Sequence, residues 1–326
     1  MGLGPRNMVE TTPQQAPMLT YCHPEMQEVL LAEAEQAGAE VRRGVTVEVL
    51  EQRGAGAAKH VTVLARNGRA ERPVERIAAR LVVGVDGRGS AVRRWGEFAV
   101  EKLPLDFQFA GVQLTGVRGR DDMATFIFNP ELGMIVVTIP QTKGRWRTYL
   151  GYPIGGVALQ GAEKLKTYVE ESVRALPMMA EVYADVQSIG PLATFDVSES
   201  WVRHPYRDGV ALLGDAAATS DPTFGQGMAT ALRSVRVLSD VLLHNQDWDQ
   251  AGDEYAREFD RYFQNLHKVS GWLRTLFQDP SADASALRAK AMPKIAENVM
   301  RVPDHLFSGP DLPADETVRA RFFGDD

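Results

Sequence analysis

Apolar residues recur at three- and four-residue intervals in several parts of the chain, which is the pattern of one face of an α-helix. The pattern occurs after Gly227 and in the stretches 249–267, 25–37 and 163–176. After Gly227, the apolar positions are Met228, Leu232, Val235, Leu238 and Leu242. In 249–267, the stripe consists of Tyr255, Phe259, Tyr262, Phe263 and Leu266. We predict helices over these stretches and expect the aromatic stripe to lie in a core or an interface.

Shorter apolar runs bounded by turn residues predict strands. They cover residues 41–51, 60–66, 107–115, 124–129, 134–139 and 146–152, with a loop at Gly54-Ala55-Gly56. In the last run, Arg145, Arg147 and Tyr149 alternate with Trp146, Thr148 and Leu150. Because this period of two is typical of a strand, we predict that the runs between 107 and 152 form an antiparallel sheet with one packed face.

One stretch joins a strand to the start of a long helix. The apolar run 209–213 ends at Gly214-Asp215, and the turn Asp221-Pro222-Thr223-Phe224-Gly225-Gln226-Gly227 opens the helix. Free N–H groups and the helix dipole favour negative charge at a helix N-terminus. The layout suits a ligand with hydroxyl groups for the carboxylate and an electron-rich group for the helix end. The alternative is a glycine-rich turn such as any α/β protein contains.

A second stretch has a related layout. The apolar run 81–85 leads into Asp86-Gly87, and Ser90, Arg93 and Arg94 follow in a short helical segment. Alone, Asp-Gly after a strand is most often a turn, because both residues tolerate positive φ.

In this order, the two stretches resemble the Asp-Gly and Gly-Asp motifs of the FAD-dependent aromatic hydroxylases, the para-hydroxybenzoate hydroxylase-like group A flavin monooxygenases. The resemblance covers about residues 19–277. It implies that Asp215, after Gly214, holds the ribityl and pyrophosphate region of FAD. It also implies that the helix behind the turn stabilises negative charge on the reduced flavin. The turn residues expected against the isoalloxazine ring are Pro222, Gly225, Gln226 and Gly227.

The same resemblance places the Asp-Gly motif near the FAD pyrophosphate and implicates it in NAD(P)H use. Asp86 and Arg93 are the functional positions it implies, while Gly87 serves the turn and Arg88 is a solvated charge. The arginine that family members often carry just before an early helix is replaced here by Tyr21-Cys22-His23.

The resemblance also implies that the middle sheet forms much of a substrate pocket. Core packing is the more common role of aromatic side chains. Candidates for the pocket lining are Phe107, Phe109, Phe126, Phe128, Trp146 and Tyr149.

The family begins with a strand, Gly-x-Gly-x-x-Gly and a helix, which hold the ADP part of FAD. Here Gly2-Leu3-Gly4 is followed by Asn7 and has no preceding strand, so we reject it as that fingerprint. Three explanations stay open: a truncated or late-started form of an active enzyme, a fold completed by another polypeptide, or a degenerate member. We favour the first, because a parallel sheet that lacks a central strand would expose apolar edges.

The predicted fold class is mixed α/β. We expect an incomplete Rossmann-like FAD-binding domain interleaved with an antiparallel substrate-domain sheet, and a helical C-terminal part. The expected segments are 1–100 and 191–280 for FAD binding, 101–190 for the substrate sheet, and 281–326 as a C-terminal extension.

Composition excludes several classes of protein. The formal net charge of -7 gives no basic footprint for nucleic acid. The single cysteine, Cys22, rules out an intramolecular disulfide and favours a reducing cytoplasm. No apolar run approaches the ~20 residues of a membrane span. The six histidines show no paired metal spacing and there is no cysteine cluster, so we expect no metal site. The absence of a Gly-x-Ser-x-Gly motif argues against an α/β-hydrolase, and no phosphate-loop motif is present.

The resemblance implies a monooxygenase that uses FAD, NAD(P)H and O2 to hydroxylate an aromatic or polyketide-like molecule. The alternatives are a non-catalytic remnant that binds a partner, and a flavin oxidoreductase that does not hydroxylate. We assign no catalytic residue, and His204 receives no role. Besides the small-molecule substrate, the expected partner is a second copy of the chain or a polypeptide that supplies the missing N-terminal unit.

Overall fold

The computed structural model describes residues 4–53, 60–68 and 74–326. The helices are α1 (Met8–Thr11), α2 (His23–Gln36), α3 (Ala91–Trp95), α4 (Leu165–Ala175), α5 (Met179–Val182), α6 (Gly227–His244), α7 (Trp248–Phe277), α8 (Ala282–Glu297), α9 (His305–Ser308) and α10 (Glu316–Phe323). The strands are β1 (Val45–Arg53), β2 (His60–Asn67), β3 (Val74–Ala79), β4 (Val82–Gly84), β5 (Glu101–Lys102), β6 (Phe107–Thr115), β7 (Thr125–Asn129), β8 (Met134–Pro140), β9 (Trp146–Pro153), β10 (Gln187–Ser188), β11 (Ala193–Asp196), β12 (Ser200–Trp201), β13 (Tyr206–Arg207), β14 (Val210–Leu212) and β15 (Ala218–Thr219).

The chain divides into two compact units. Unit 1 takes in Met1–Ala32, Pro104–Ser198 and Asn265–Asp326, and unit 2 takes in Glu33–Leu103 and Glu199–Gln264. The predicted loop Gly54-Ala55-Gly56 and residues 1–3 of the rejected glycine stretch lie outside the described residues.

Unit 1 is built on a sheet with strand order β10-β6-β9-β8-β7, and β11 also pairs with β6. The pairs β6–β9, β8–β9 and β7–β8 are all antiparallel, as the sequence predicted. One face contributes Val112, Leu114 and Leu150 to a buried cluster that includes Tyr168 of α4. The other face contributes a second buried cluster, so the prediction of a single packed face is wrong. The strand Met134–Pro140 is almost continuously apolar and buried, which is typical of a strand covered on both faces, whereas the alternation in β9 alone indicated one packed face.

Unit 2 contains three small sheets. The strands β1, β2 and β3 form an antiparallel meander, and β5, β12 and β15 form a second sheet. The third has the order β13-β14-β4, in which β14 runs parallel to β4. All three residues of β14 are buried, as expected of a short, continuously apolar strand that is covered on both faces.

The predicted helix after Gly227 is present, but of its predicted apolar positions three are exposed and Leu238 is buried. Met228, Leu232 and Val235 are 40%, 55% and 49% exposed. The buried positions of α6 are instead Thr230, Ser234 and Leu238. The period of the apolar residues therefore identified the helix but not the face that packs.

The remaining helices agree with the predictions in part. The aromatic stripe of α7 is buried as expected, with every member at most 4% exposed. Helix α2 forms where it was predicted, yet it has no buried residue. Helix α8 was not predicted, because its weakly amphipathic sequence carries Pro293 inside the helix. The Pro- and Asp-rich sequence after 300 predicts extended chain with a last helical turn over 318–323 that docks back. The segment forms α9 and α10, and Phe322 and Phe323 of α10 are buried.

Candidate functional site

The two motifs follow neighbouring parallel strands of unit 2. Register pairs Val210 with Val82 and Leu212 with Gly84, so β4 and β14 run side by side in the same direction. Their carboxyl ends therefore lie at one edge of the sheet, where Asp86 follows β4 and Asp215 follows β14. In open α/β sheets this edge is where ligands bind.

The Asp86 carboxylate holds the start of α3. It accepts hydrogen bonds from the Ser90 hydroxyl and from the backbone N–H groups of Ala91 (2.6 Å) and Val92 (3.1 Å). Partial burial would raise the pKa of Asp86, but these hydrogen bonds outweigh it and hold the pKa below its ordinary value of 3.8. Gly87 has a φ of +78°, which fits the expected turn. Asp86 thus organises its own loop, and a ligand contact for it stays a prediction.

Arg93 joins the two motifs. Its guanidinium donates to the Arg88 carbonyl (2.6 Å) in the first loop and to the Ala216 carbonyl (3.1 Å) directly after Asp215. Burial lowers the pKa of Arg93, and the nearby Asp86 carboxylate acts in the opposite direction. Arg93 therefore fixes the distance between the loops after β4 and β14, a role that a reading of either motif alone could not supply.

The Asp215 carboxylate lies beside the N-terminus of α6. Gly214 has a φ of +56° and starts a single helical turn, in which Asp215 is exposed and Ala216 is buried. A methyl group placed on Gly227 would lie 3.8 Å from Asp215 Oδ1. The first turn of α6 and the carboxylate are thus adjacent, as the layout of residues 209–228 predicted.

The turn before α6 leaves the helix end accessible. Asp221 accepts a hydrogen bond from the Thr223 N–H (2.9 Å), and the exposed Pro222 opens the short turn. Gly225 has a φ of +66°, and a Cβ there would meet no atom within 4 Å. The N-cap residue Gln226 makes no side-chain capping bond, because its amide donates to the Phe224 carbonyl (3.0 Å).

These features fit a large ligand that combines hydroxyl groups with an electron-rich edge. An exposed carboxylate can accept hydrogen bonds from hydroxyl groups. A helix N-terminus without a side-chain cap keeps backbone N–H groups for a negatively charged or electron-rich atom. The open space at Gly225 lets backbone approach a planar group closely.

Two further side chains of unit 2 support the site, and the sequence gave no signal for their polar roles. The buried Tyr255, which we predicted as part of an apolar stripe, donates to the Leu212 carbonyl at the end of β14 (2.6 Å). His204, which received no role, pairs with Asp253 (2.9 Å), and its backbone N–H donates to the Asp260 carboxylate. Both residues fasten the strands of the site to α7.

Two kinds of site are not seen in the described part of the chain. Its His, Cys, Asp and Glu residues form no group of three or more that could hold a metal ion. None of its helices combines the length and apolar character that crossing a membrane requires.

Curated proteins of known name are similar to the chain in sequence. The chain is 23% identical over 235 residues to kynurenine 3-monooxygenase from Christiangramia forsetii, covering 67% of this chain and 52% of the relative. It is 29% identical over 171 residues to digeranylgeranylglycerophospholipid reductase from Methanothrix thermoacetophila, covering 51% and 41%. The chain thus spans about half the length of these curated relatives.

The fold is similar to solved structures. For p-nitrophenol 4-monooxygenase PnpA from Pseudomonas putida the TM-score is 0.72 at 18% identity, covering 90% of this chain and 74% of that one. For HpxO from Klebsiella pneumoniae, complexed with FAD and uric acid, the TM-score is 0.65 at 21% identity, covering 88% and 72%. The model of the FAD binding domain family matches residues 4–264. The chain therefore belongs to the FAD binding domain family.

Proposed function

We propose that this chain binds FAD at the edge formed by β4 and β14 and acts as part of a monooxygenase that uses NAD(P)H and O2. The substrate is an aromatic or polyketide-like small molecule. The observation that carries the proposal is the convergence of the Asp86 loop, the Asp215 loop and the uncapped start of α6 at one sheet edge.

Each part of the edge has a role. Asp215 accepts hydrogen bonds from ribityl hydroxyl groups, and the first-turn N–H groups of α6 face the electron-rich edge of the ring system. Gly225 and Gly227 keep side chains out of the space for the ring, while Arg93 sets the spacing of the two loops. FAD supplies the redox chemistry and the oxygen transfer when it is bound.

The names of the relatives favour two reactions. Kynurenine 3-monooxygenase and p-nitrophenol 4-monooxygenase support hydroxylation. The reductase named among the curated relatives supports a second candidate, a flavin-dependent reductase that does not hydroxylate. Product analysis under O2 separates them, because only the first yields a hydroxylated product coupled to NAD(P)H oxidation.

The sheet edge at β4 supports the expectation of an additional structural unit. Within the described residues, β4 pairs on one side only, and Val83 and the following Val85 are 39% and 66% exposed. An unpaired apolar edge is a site for a further strand. We propose that this strand comes from another part of a longer polypeptide or from a partner chain.

The first experiment is an absorbance spectrum of the purified protein, recorded before and after addition of FAD and desalting. We expect a retained flavin band in the wild type and a weaker one in Asp215→Ala. The matched control is Asp240→Ala, which removes an exposed carboxylate from α6 outside the site. A folded wild type that retains no flavin would contradict the proposal and favour a non-catalytic remnant. Equal retention in the two variants would refute the role of Asp215.

A further inference from the structure

The unit 1 sheet has two faces, and the residues predicted to line a pocket divide between them. In β9, Trp146 and Tyr149 are an odd number of residues apart, so their side chains point to opposite sides. The predicted pocket lining therefore cannot include both. Leu150 and Tyr152 lie on the same side as Trp146 and belong to the buried cluster that contains Tyr168 of α4. We call this side the α4 face.

A cavity of about 320 Å³ lies on the α4 face. Its walls are mostly apolar and include Met134, Leu150 and Leu159, each at most 1% exposed. The loop after β9 forms another wall, in which Ile154 and Val157 are 45% and 43% exposed, so the cavity meets solvent beside these side chains. Small-molecule sites are typically apolar cavities of roughly 300–1,000 Å³ with a few polar groups. The size and lining of the cavity fit a small apolar molecule.

The hydroxyl group of Tyr152 is a hydrogen-bond donor in the wall of this cavity. Tyr152 is 4% exposed, and its hydroxyl oxygen lies 3.5 Å from Thr194 Oγ1. The Thr194 hydroxyl already donates to the Leu159 carbonyl at 2.7 Å, so Tyr152 is the donor in the longer contact. A separation of 3.5 Å is longer than the usual ~2.5–3.0 Å of a hydrogen bond between two oxygens. The Tyr152 hydroxyl can therefore donate to a closer acceptor on a ligand.

The carboxylate of Glu171 supplies an acceptor at the same cavity. The guanidinium of Arg174 contacts Glu171 Oε2 at 2.7 Å and 2.6 Å, and within the described residues Oε1 accepts no hydrogen bond. Burial raises the pKa of Tyr152 above its ordinary value of 10.0, the Thr194 contact lowers it, and the negative charge of Glu171 raises it. Tyr152 is therefore a protonated donor at neutral pH, and it lies within the field of the Glu171 carboxylate.

The charges at the cavity disfavour an anionic ligand. Among the described residues that line it, Arg174 is the only cation, and it is already paired with Glu171. A ligand carboxylate would therefore meet the negative charge of Glu171 without a free cation to balance it. A hydroxyl group is both a donor and an acceptor. It can accept from Tyr152 and donate to Glu171 Oε1 at the same time.

We propose that the cavity on the α4 face binds an uncharged apolar molecule that carries a hydroxyl group, such as an aliphatic alcohol. The oxygen of the alcohol accepts a hydrogen bond from Tyr152, its hydrogen is donated to Glu171 Oε1, and the apolar walls contact the hydrocarbon part. The cavity lies on the side of the sheet opposite to Tyr149. The inference therefore goes beyond the proposed function and does not depend on FAD.

Isothermal titration calorimetry with 1-octanol, octanoate and 1-methoxyheptane tests the inference. The last compound is an isomer of 1-octanol that can accept a hydrogen bond but cannot donate one. We expect 1-octanol to bind at least about tenfold more tightly than octanoate, which meets a like charge. We expect it to bind about fivefold more tightly than the ether, which lacks one hydrogen bond.

Three variants assign the contacts. Tyr152→Phe weakens the binding of 1-octanol and of the ether about fivefold each, because both lose the same donor. Glu171→Gln removes the preference for 1-octanol over octanoate, because it removes the negative charge and releases Arg174. It leaves the affinity for the ether unchanged. The matched control is Glu170→Gln, which changes a neighbouring carboxylate of α4 outside the cavity and leaves all three affinities unchanged.

The outcomes separate this inference from the proposed function. Absence of 1-octanol binding to the wild type, or equal binding of 1-octanol and octanoate, overturns the inference. A preference for 1-octanol that survives in Glu171→Gln also overturns it, and this test holds even if Tyr152→Phe loses stability, because Glu171 is partly exposed on α4. FAD retention is measured on the same preparations. Its loss together with Glu171-dependent binding of 1-octanol contradicts the proposed function alone.

Discussion

Replacement of Arg93 by methionine tests whether the two motif loops work as one site. The variant keeps a long apolar stem but removes the donors to the Ala216 and Arg88 carbonyls. A hydrogen bond from a charged donor contributes ~1.5–3 kcal/mol when it is buried. Because Arg93 is only partly buried, solvent screening reduces the loss for the pair to about 1–2 kcal/mol. A change of that size is a factor of ~5–30 in an equilibrium constant.

We therefore expect Arg93→Met to lower the free energy of unfolding by about 1–2 kcal/mol and to weaken FAD binding by roughly 5- to 30-fold. The matched control is Arg94→Met, since in the described part of the chain Arg94 donates to Gly89 and Ser90 of its own loop and not to the second loop. Urea denaturation gives the free energy of unfolding, and titration with FAD gives the affinity. Indistinguishable FAD affinities for the two variants would refute the view that Arg93 sets the spacing of the loops.

Three further predictions concern the elements around the site. Gly252→Ala should destabilise the protein by ~1–3 kcal/mol in urea denaturation, because its Cβ would lie 2.3 Å from the ring of the buried Tyr206. At Gly271 a Cβ meets no atom within 4 Å, so Gly271→Ala should instead stabilise the protein by about 0.5–1 kcal/mol. A loss of stability in both variants would show that the clash with Tyr206 is not the cause. Since the folded pKa of Asp86 lies below 3.8, the stability it contributes is present above that pH and is lost as pH falls through the lowered pKa. The difference in the free energy of unfolding between wild type and Asp86→Asn, measured in urea, should therefore become smaller only in acid. A difference that stays constant with pH would contradict this assignment. Tyr255→Phe should cost ~1–2 kcal/mol by leaving the buried carbonyl at the end of β14 unpaired, and an unchanged urea midpoint would exclude that hydrogen bond as a source of stability.

The local layout of the site was predictable because each of its parts is determined by residues that are adjacent in the sequence. The apolar run before Gly214, the acidic Asp215 and the glycines before α6 each act through their own short segment. A strand, a turn and a helix N-terminus are decided mainly by such nearby residues. The relative position of Asp215 and Gly227 followed from that order.

The connection between the motifs was not predictable in the same way. Arg93 and Ala216 are 123 positions apart, and the acceptor is a backbone carbonyl that any residue could provide. The capping role of Asp86 could have been found, because Ser90 stands at the start of a helical segment with a good N-cap side chain. From the sequence alone, Asp86 is predicted to be a ligand contact or a turn residue instead.

The packing of α6 shows a limit of periodicity. Apolar spacing predicts a helix but assumes that the apolar side is the buried one. In α6 small hydroxyl residues face the interior, so the assumption fails although the helix is correct. The same spacing in α7 predicted both the helix and its buried side, because its large aromatic side chains are strongly favoured in the core.

The hydroxyl-lined side of α6 affects the direction in which the N–H groups at its N-terminus point. Ser234 shares a hydrogen bond with the Tyr262 hydroxyl at 2.7 Å and donates to the Thr230 carbonyl. Apolar contacts between helices tolerate small rotations about the helix axis, whereas a hydrogen bond between two buried hydroxyl groups weakens when its distance or angle changes. Because the amides of the first turn rotate with the rest of the helix, this bond determines the direction in which they point. Ser234, which lies two turns inside the helix, thus restricts rotation of the N-terminal turn about the helix axis.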